Sequence, residues 1–68
     1  MRGKIERIST KQGHGFIRAD SGEEFYFDRY GLEGVNISAF EVGDTVEFVL
    51  EQYGDRETRA EKIRITIP

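Results

Sequence analysis

The sequence predicts an all-β fold, a small antiparallel barrel of five strands. Three observations carry that expectation. Apolar and polar residues alternate over short stretches, glycine-rich polar clusters separate those stretches, and no segment sustains a helical repeat. In a strand, side chains at alternate positions share a face, so each stretch also states which residues face the core.

Residues 3–9, Gly-Lys-Ile-Glu-Arg-Ile-Ser, read as the first strand. Ile5 and Ile8 lie three apart, so a strict period of two cannot bury both, and a bulge or a strand end is predicted between them. Residues 10–13 form a turn. Residues 14–19 are the second strand, with His14, Phe16 and Arg18 on one face and Gly15, Ile17 and Ala19 on the other. Residues 20–23, Asp-Ser-Gly-Glu, carry a hairpin signal. Residues 24–29 are the third strand, with Phe25 and Phe27 inward and Tyr26 and Asp28 outward.

The pattern then breaks. Residues 30–43 hold glycines at 31, 34 and 43 and read as a loop with room for one short turn of helix. Leu32, Val35, Ile37 and Phe40 are its expected anchors to the core. A loop this long in so small a domain is usually functional or a topological crossover. Residues 45–51 are the fourth strand and the cleanest alternation in the chain, with Val46, Phe48 and Leu50 on one side. Residues 52–55 turn the chain, residues 57–66 end in the fifth strand, and Pro68 closes the sequence. Strand number and length fit the five-stranded oligonucleotide-binding barrel, with an SH3-like barrel as the competing solution.

At 68 residues the chain is expected to be one domain, 1–68, near the lower size at which a hydrophobic core suffices. It has no cysteine, so neither a disulfide framework nor a thiolate metal site supplements the core. No apolar run approaches the ~20 residues needed to cross a bilayer. Residues 1–4 have no apolar stretch behind them, so no signal peptide is expected. A cytoplasmic monomer is the simplest expectation.

The formal net charge is −3, against the usual basic surplus of nucleic-acid binders. Its distribution is uneven. Residues 31–55 hold six acidic and no basic side chains, whereas residues 1–30 and 56–68 carry +1 and +2. If the two ends meet in space, one face becomes positive on an acidic protein. Each charge taken singly reads first as an ordinary solvated surface group.

Gln12-Gly13-His14-Gly15-Phe16-Ile17 is the stretch with the clearest chemistry. Glycine within a strand often marks the close approach of a ligand or another backbone. Two flat rings and a cation on one face suit the stacking of bases. Ile17 is the better core residue, so alternation turns Phe16 outward, where an aromatic ring has little structural reason to be. Tyr26, between Phe25 and Phe27, follows the same argument. His14 fits a stacking platform and a solvated turn residue equally. Arg7, Arg18 and Arg29 are expected to act together as phosphate contacts beside the rings. Arg59 and Lys62 are further candidates if the last strand reaches the same edge.

These stretches, in order, resemble the cold-shock domain. Gly3-Lys4-Ile5 and Gly13-His14-Gly15-Phe16-Ile17 resemble its opening strand and first ribonucleoprotein motif, typically Lys-Gly-Phe-Gly-Phe-Ile. Phe25-Tyr26-Phe27-Asp28 stands where Val-Phe-Val-His-Phe is usual. Residues 40–48 resemble its Leu-x-x-Gly-x-x-Val-x-Phe passage, and residues 59–63 its closing Ala-x-Asn-Val strand. The resemblance implies an OB-fold barrel that binds single-stranded RNA or DNA, RNA ahead of DNA, as an RNA chaperone or a regulator of gene expression. It implies no cofactor, no metal, no small-molecule substrate and no membrane.

Carried over by position, Phe16 keeps its ring, Tyr26 stands for a Phe and His14 replaces a Phe. Arg7 stands for an exposed Trp, Asp28 for a His, Arg29 for a Phe and Gln12 for a Lys. Each stacked base contributes roughly 1–3 kcal/mol, so two lost rings imply weaker binding. Guanidinium planes at Arg7 and Arg29 replace part of it by stacking and by meeting phosphates. Asp28 repels phosphates yet can accept from a base amino group. Binding weaker and more salt-dependent than the family norm is therefore expected, with base selectivity as a further expectation. Tyr30 either takes over for the missing Phe at its neighbour or anchors the loop.

Catalysis is not expected. The single His has no nucleophile beside it, and Glu23-Glu24 sits at an exposed hairpin tip. His14 and Asp28 together are too few to hold a metal. The alternative function is a protein-interaction module of the same fold that has lost most nucleic-acid affinity.

Overall fold

A computed structural model describes residues 1–66. Five strands follow in order: β1 (Arg2–Ser9), β2 (His14–Ala19), β3 (Glu24–Asp28), β4 (Thr45–Tyr53) and β5 (Glu57–Ile65). They close a barrel in the order β1-β2-β3-β5-β4, and β4 returns to β1. Every pairing is antiparallel except the seam, where β3 and β5 run parallel through Tyr26 and Arg59. No helix is long and apolar enough to cross a membrane among the described residues.

The Ile5/Ile8 conflict is resolved by a bulge. Ile5 pairs with Ile17 but Arg7 pairs with Phe16, so Glu6 is an extra residue in β1. The inserted residue shifts the phase of alternation, so Ile5 packs in the core and Ile8 packs against it, while Arg7 turns outward beside Phe16. β5 has a second bulge. Glu47 pairs with Arg64 and Val49 with Glu61, leaving three steps of β5 against two of β4. Lys62 sits in that bulge with φ +52°, a left-handed conformation that disfavours a side chain.

The core is built from Ile5, Ile17, Phe25, Phe27, Ile37, Phe40, Val46, Phe48 and Ile63, closed by Ala19 and Ala60. Gly15 belongs to this packing. A Cβ there would run into the Arg7 carbonyl and the Phe27 ring, so the close approach that this glycine permits is internal. The segment between β3 and β4 contains two short 3-10 turns, Arg29–Gly31 and Ile37–Ala39, where one was expected. Asp28 and Asn36 start them by accepting from the backbone N–H of Tyr30 and Ser38.

Several expectations are corrected. Val35 is not an anchor; it is 41 % exposed, and Leu32, Ile37 and Phe40 hold the loop without it. β3 stops at Asp28, because its carboxylate caps the 3-10 turn that Arg29 opens. β4 runs on to Tyr53, so residues 52 and 53 are strand and the turn lies beyond them. Leu50 is 38 % exposed despite its alternation with Val46 and Phe48. The β4–β5 hairpin runs past the β1 pairing there, which spans Thr45–Glu47. β5 begins at Glu57 and ends at Ile65.

Candidate nucleic-acid interface

The outer face of the barrel over β1, β2, β3 and β5 carries one transverse row. Arg7 pairs with Phe16, Phe16 with Tyr26, and Tyr26 with Arg59. Paired residues lie side by side on the same face. The β1 bulge is what brings Arg7 into this row, since without the extra residue the alternation would turn it inward. Two rings thus stand between two guanidinium groups. Arg7 lies over the Phe16 ring with Cζ 4.2 Å from the centroid, and Arg59 lies 5.1 Å from the Tyr26 centroid.

Phe16 and Tyr26 meet edge to face, with centroids 5.7 Å apart and planes at 71°. His14 adds a third ring one pleat away, 5.8 Å from Tyr26 at 31°. All three rings are half-buried. The His14 Nε2 lies 3.1 Å from Gln12 Oε1, an acceptor, which requires the proton on Nε2. Its Nδ1 is buried and has no partner among the described residues. The Gln12 contact therefore holds the imidazole in one orientation beside Tyr26.

The electrostatics differ from the free basic fringe expected from sequence. Arg7 donates to Glu24 at 2.9 Å. Arg18 is gripped by both oxygens of Glu6 at 3.0 Å, by the Gly22 carbonyl at 2.8 Å and by Glu24 at 3.5 Å. A hydrogen bond shared with Glu24, reinforced by Arg18, holds the Glu6 carboxyl below the usual carboxylate range. Arg18 is thus turned into an ion cluster at the edge of the face.

Asp28 is also in use. Its Oδ1 accepts from Tyr30 N at 3.0 Å and its Oδ2 from Arg59 at 3.3 Å. Arg59 is further paired with Glu57, and that hydrogen bond first of all raises its already high pKa. Arg29 is different. Its guanidinium lies over Gly13 and donates, among the described residues, to the Gln12 carbonyl alone, at 3.3 Å. Gly13 has φ +79°, and a Cβ there would occupy the space of that guanidinium.

The structure thus brings Arg7, His14, Phe16, Tyr26, Asp28 and Arg59 together, with Arg29 at one end and Arg18 at the other. Tyr30 does not anchor the loop; it is 85 % exposed beside Arg29, at the rim of a shallow groove shared with Thr10, Asn36 and Ile37. Lys62 lies elsewhere, in a depression with Met1, Arg2, Glu47 and Arg64. Tyr53 was missed because the Tyr-Gly-Asp sequence reads as a turn. Its ring lies 4.3 Å from the Arg59 guanidinium, and its hydroxyl donates to Glu61 at 3.0 Å. That hydrogen bond, with desolvation and the Glu61 charge, raises the phenol above its usual pKa. The signal that could have found it is its position two residues beyond Glu51 in a continuing alternation.

Comparison with known proteins gives the family. The model of the "Cold-shock" DNA-binding domain matches residues 1–66. The chain is 33 % identical over 60 residues to glycine-rich protein 2 of Nicotiana sylvestris, covering 87 % of this chain and 28 % of that protein. It is 31 % identical over 67 residues to cold shock protein 1 of Arabidopsis thaliana, covering 97 % and 22 %. It therefore spans about a quarter of the length of these two plant relatives. With a cold shock-like protein of Thermotoga maritima it shares 28 % identity over 65 residues, and there the match covers 96 % and 97 % of the two chains. The five-stranded closed barrel, the ring row on its outer face and the match over residues 1–66 agree: the chain belongs to the cold-shock domain family, a family of nucleic-acid-binding domains.

Proposed function

We propose that this domain binds single-stranded nucleic acid, RNA ahead of DNA, as an RNA chaperone or a regulator of gene expression. The observation that carries the reading is the transverse row, in which Phe16 and Tyr26 stand side by side between Arg7 and Arg59. Bases stack on Phe16, Tyr26 and His14, each contributing roughly 1–3 kcal/mol. Arg29, held among the described residues only by a carbonyl, is the readiest phosphate contact, and Arg7 joins it on exchanging Glu24 for phosphate. The Asp28 carboxylate borders the row and keeps lone pairs for a 2′-hydroxyl, which favours RNA. Asp28 acts mainly through Arg59, and Arg18 lies too deep in its ion cluster to lead. A single monomeric domain, no catalysis, no cofactor and a cytoplasmic site of action go with this reading.

A second reading, a protein-interaction module, is favoured by one observation. Arg7, Arg18 and Arg59 are each already paired with carboxylates of the same chain. Titration of isotope-labelled protein with short single-stranded RNA and DNA at ~0.05 M salt, where phosphate attraction is strongest, separates the two. Amide shifts clustered at residues 7, 14–18, 26–29 and 59, lost in Phe16→Ala, are the expected result. A flat response to every oligonucleotide refutes nucleic-acid binding and favours the protein-interaction module.

A further inference from the structure

We propose that Tyr53 forms a further base-stacking subsite, which takes a nucleobase of the same single strand beyond the one on Tyr26. The inference rests on the nucleic-acid reading above and extends its site onto the β4–β5 hairpin.

Register places Tyr53 on the ring face. Arg59 pairs with Tyr26 on one side and with Glu51 on the other, while Tyr53 pairs with Glu57. Alternation puts Glu51 and Tyr53 on one face of β4, and Glu57, Arg59 and Glu61 on the same face of β5. Tyr53 is therefore the diagonal neighbour of Arg59, on the surface that carries Phe16 and Tyr26. The hydrogen bond from its hydroxyl to Glu61 agrees with that placement.

Arg59 then acts as a spacer. Its guanidinium lies 5.1 Å from the Tyr26 centroid and 4.3 Å from that of Tyr53, held by Asp28 and Glu57. The order across the face is Arg7, Phe16, Tyr26, Arg59, Tyr53. The rings on either side of Arg59 are separated by no more than those two distances together, so one strand of nucleic acid can lie across both.

The state of the Tyr53 ring suits a stacking partner. It is 42 % exposed at the end of β4, in a stretch that is exposed from Val49 onward and so gives an aromatic side chain little packing role. It is also held at two points, by Arg59 on the ring and by Glu61 at the hydroxyl. A pre-oriented ring loses little freedom when a base stacks on it.

The alternative is that Tyr53 only braces Arg59, and a length series of oligouridylates separates the two. Affinity of the full chain is measured for two- to eight-nucleotide oligomers with wild type, Tyr53→Ala, Tyr53→Phe and Phe16→Ala. The expected result is that Tyr53→Ala equals wild type on the shortest oligomer that binds, which certifies its fold and its Phe16–Tyr26 platform. It then loses the gain that wild type shows on the longer ones, by about 5-fold or more. Tyr53→Phe keeps the gain, because the ring remains. Tyr53→Ala matching wild type at every length, while Phe16→Ala weakens all of them, overturns the subsite and leaves the functional reading intact. A uniform loss at all lengths in Tyr53→Ala assigns the residue to bracing Arg59 and also overturns it. No binding by wild type at any length overturns both.

Discussion

Replacing Glu24 by Gln is expected to raise, not lower, affinity for single-stranded RNA. Glu24 touches Arg7 at 2.9 Å and Arg18 at 3.5 Å, so it occupies cations at the edge of the ring row. The Arg7 side chain is 61 % exposed in that pair, so solvent screens it and its loss alters stability by less than about 1 kcal/mol. Its effect on binding is larger. A carboxylate about 6 Å from an incoming phosphate repels it by roughly 0.7 kcal/mol even at the dielectric of bulk water, about threefold in affinity. Freeing Arg7 to neutralise one phosphate also steepens the dependence of log K on log salt by about 0.7 for a single strand. Between ~0.2 M and ~0.05 M salt, that slope adds about 2.6-fold to the advantage of the variant. Fluorescence anisotropy of a labelled oligouridylate across that salt range reads both quantities. Equal affinity and equal slope in wild type and Glu24→Gln, with the fold of the variant verified by its amide spectrum, would refute the idea that Glu24 competes with phosphate.

Three further predictions concern the barrel itself. Lys62→Gly relieves roughly 1–2 kcal/mol of left-handed strain against roughly 0.4–1 kcal/mol of added unfolded-state entropy, so thermal denaturation should show a modestly raised Tm; a lower Tm contradicts the assigned bulge. Gly15→Ala forces a methyl group into the Arg7 carbonyl and the Phe27 ring and is expected to destabilise by about 1–3 kcal/mol in urea unfolding. The lowered Glu6 pKa stabilises the fold above the unfolded value of 4.5, and that contribution is lost as pH falls through the lower folded value. Tm of Glu6→Gln should therefore approach that of wild type below that window, and carboxyl chemical shifts should show Glu6 titrating below 4.5.

Much of the barrel is legible in the chain because strand alternation is local. Phe25 and Phe27 against Tyr26, or Ile17 against Phe16, need only neighbouring residues to state which side is core. The Ile5 and Ile8 spacing announces a bulge or a strand end, since a strict period of two cannot bury both, and the barrel takes the bulge. Val35 and Leu50 were misread for the opposite reason. Their burial depends on whether another part of the chain covers them, and an apolar side chain does not report that. Tyr53 was hidden by its Tyr-Gly-Asp context, which looks like a turn until β5 is seen to pair with β4 beyond it.

By itself, the sequence determined the five-stranded class, the outward Phe16 and Tyr26 and the inward core, since these follow from side-chain chemistry at period two. Tertiary structure alone decided how the charges are spent. Glu6 and Glu24 close on Arg7 and Arg18, and Asp28 and Glu57 close on Arg59, although each arginine reads from sequence as a free cation. It also decided that the parallel seam sets Arg59 beside Tyr26, residues 33 positions apart. The physical reason is that ion pairing and strand register are set by distances across the closed barrel, and closure brings together residues whose separation along the chain carries no information about their separation in space.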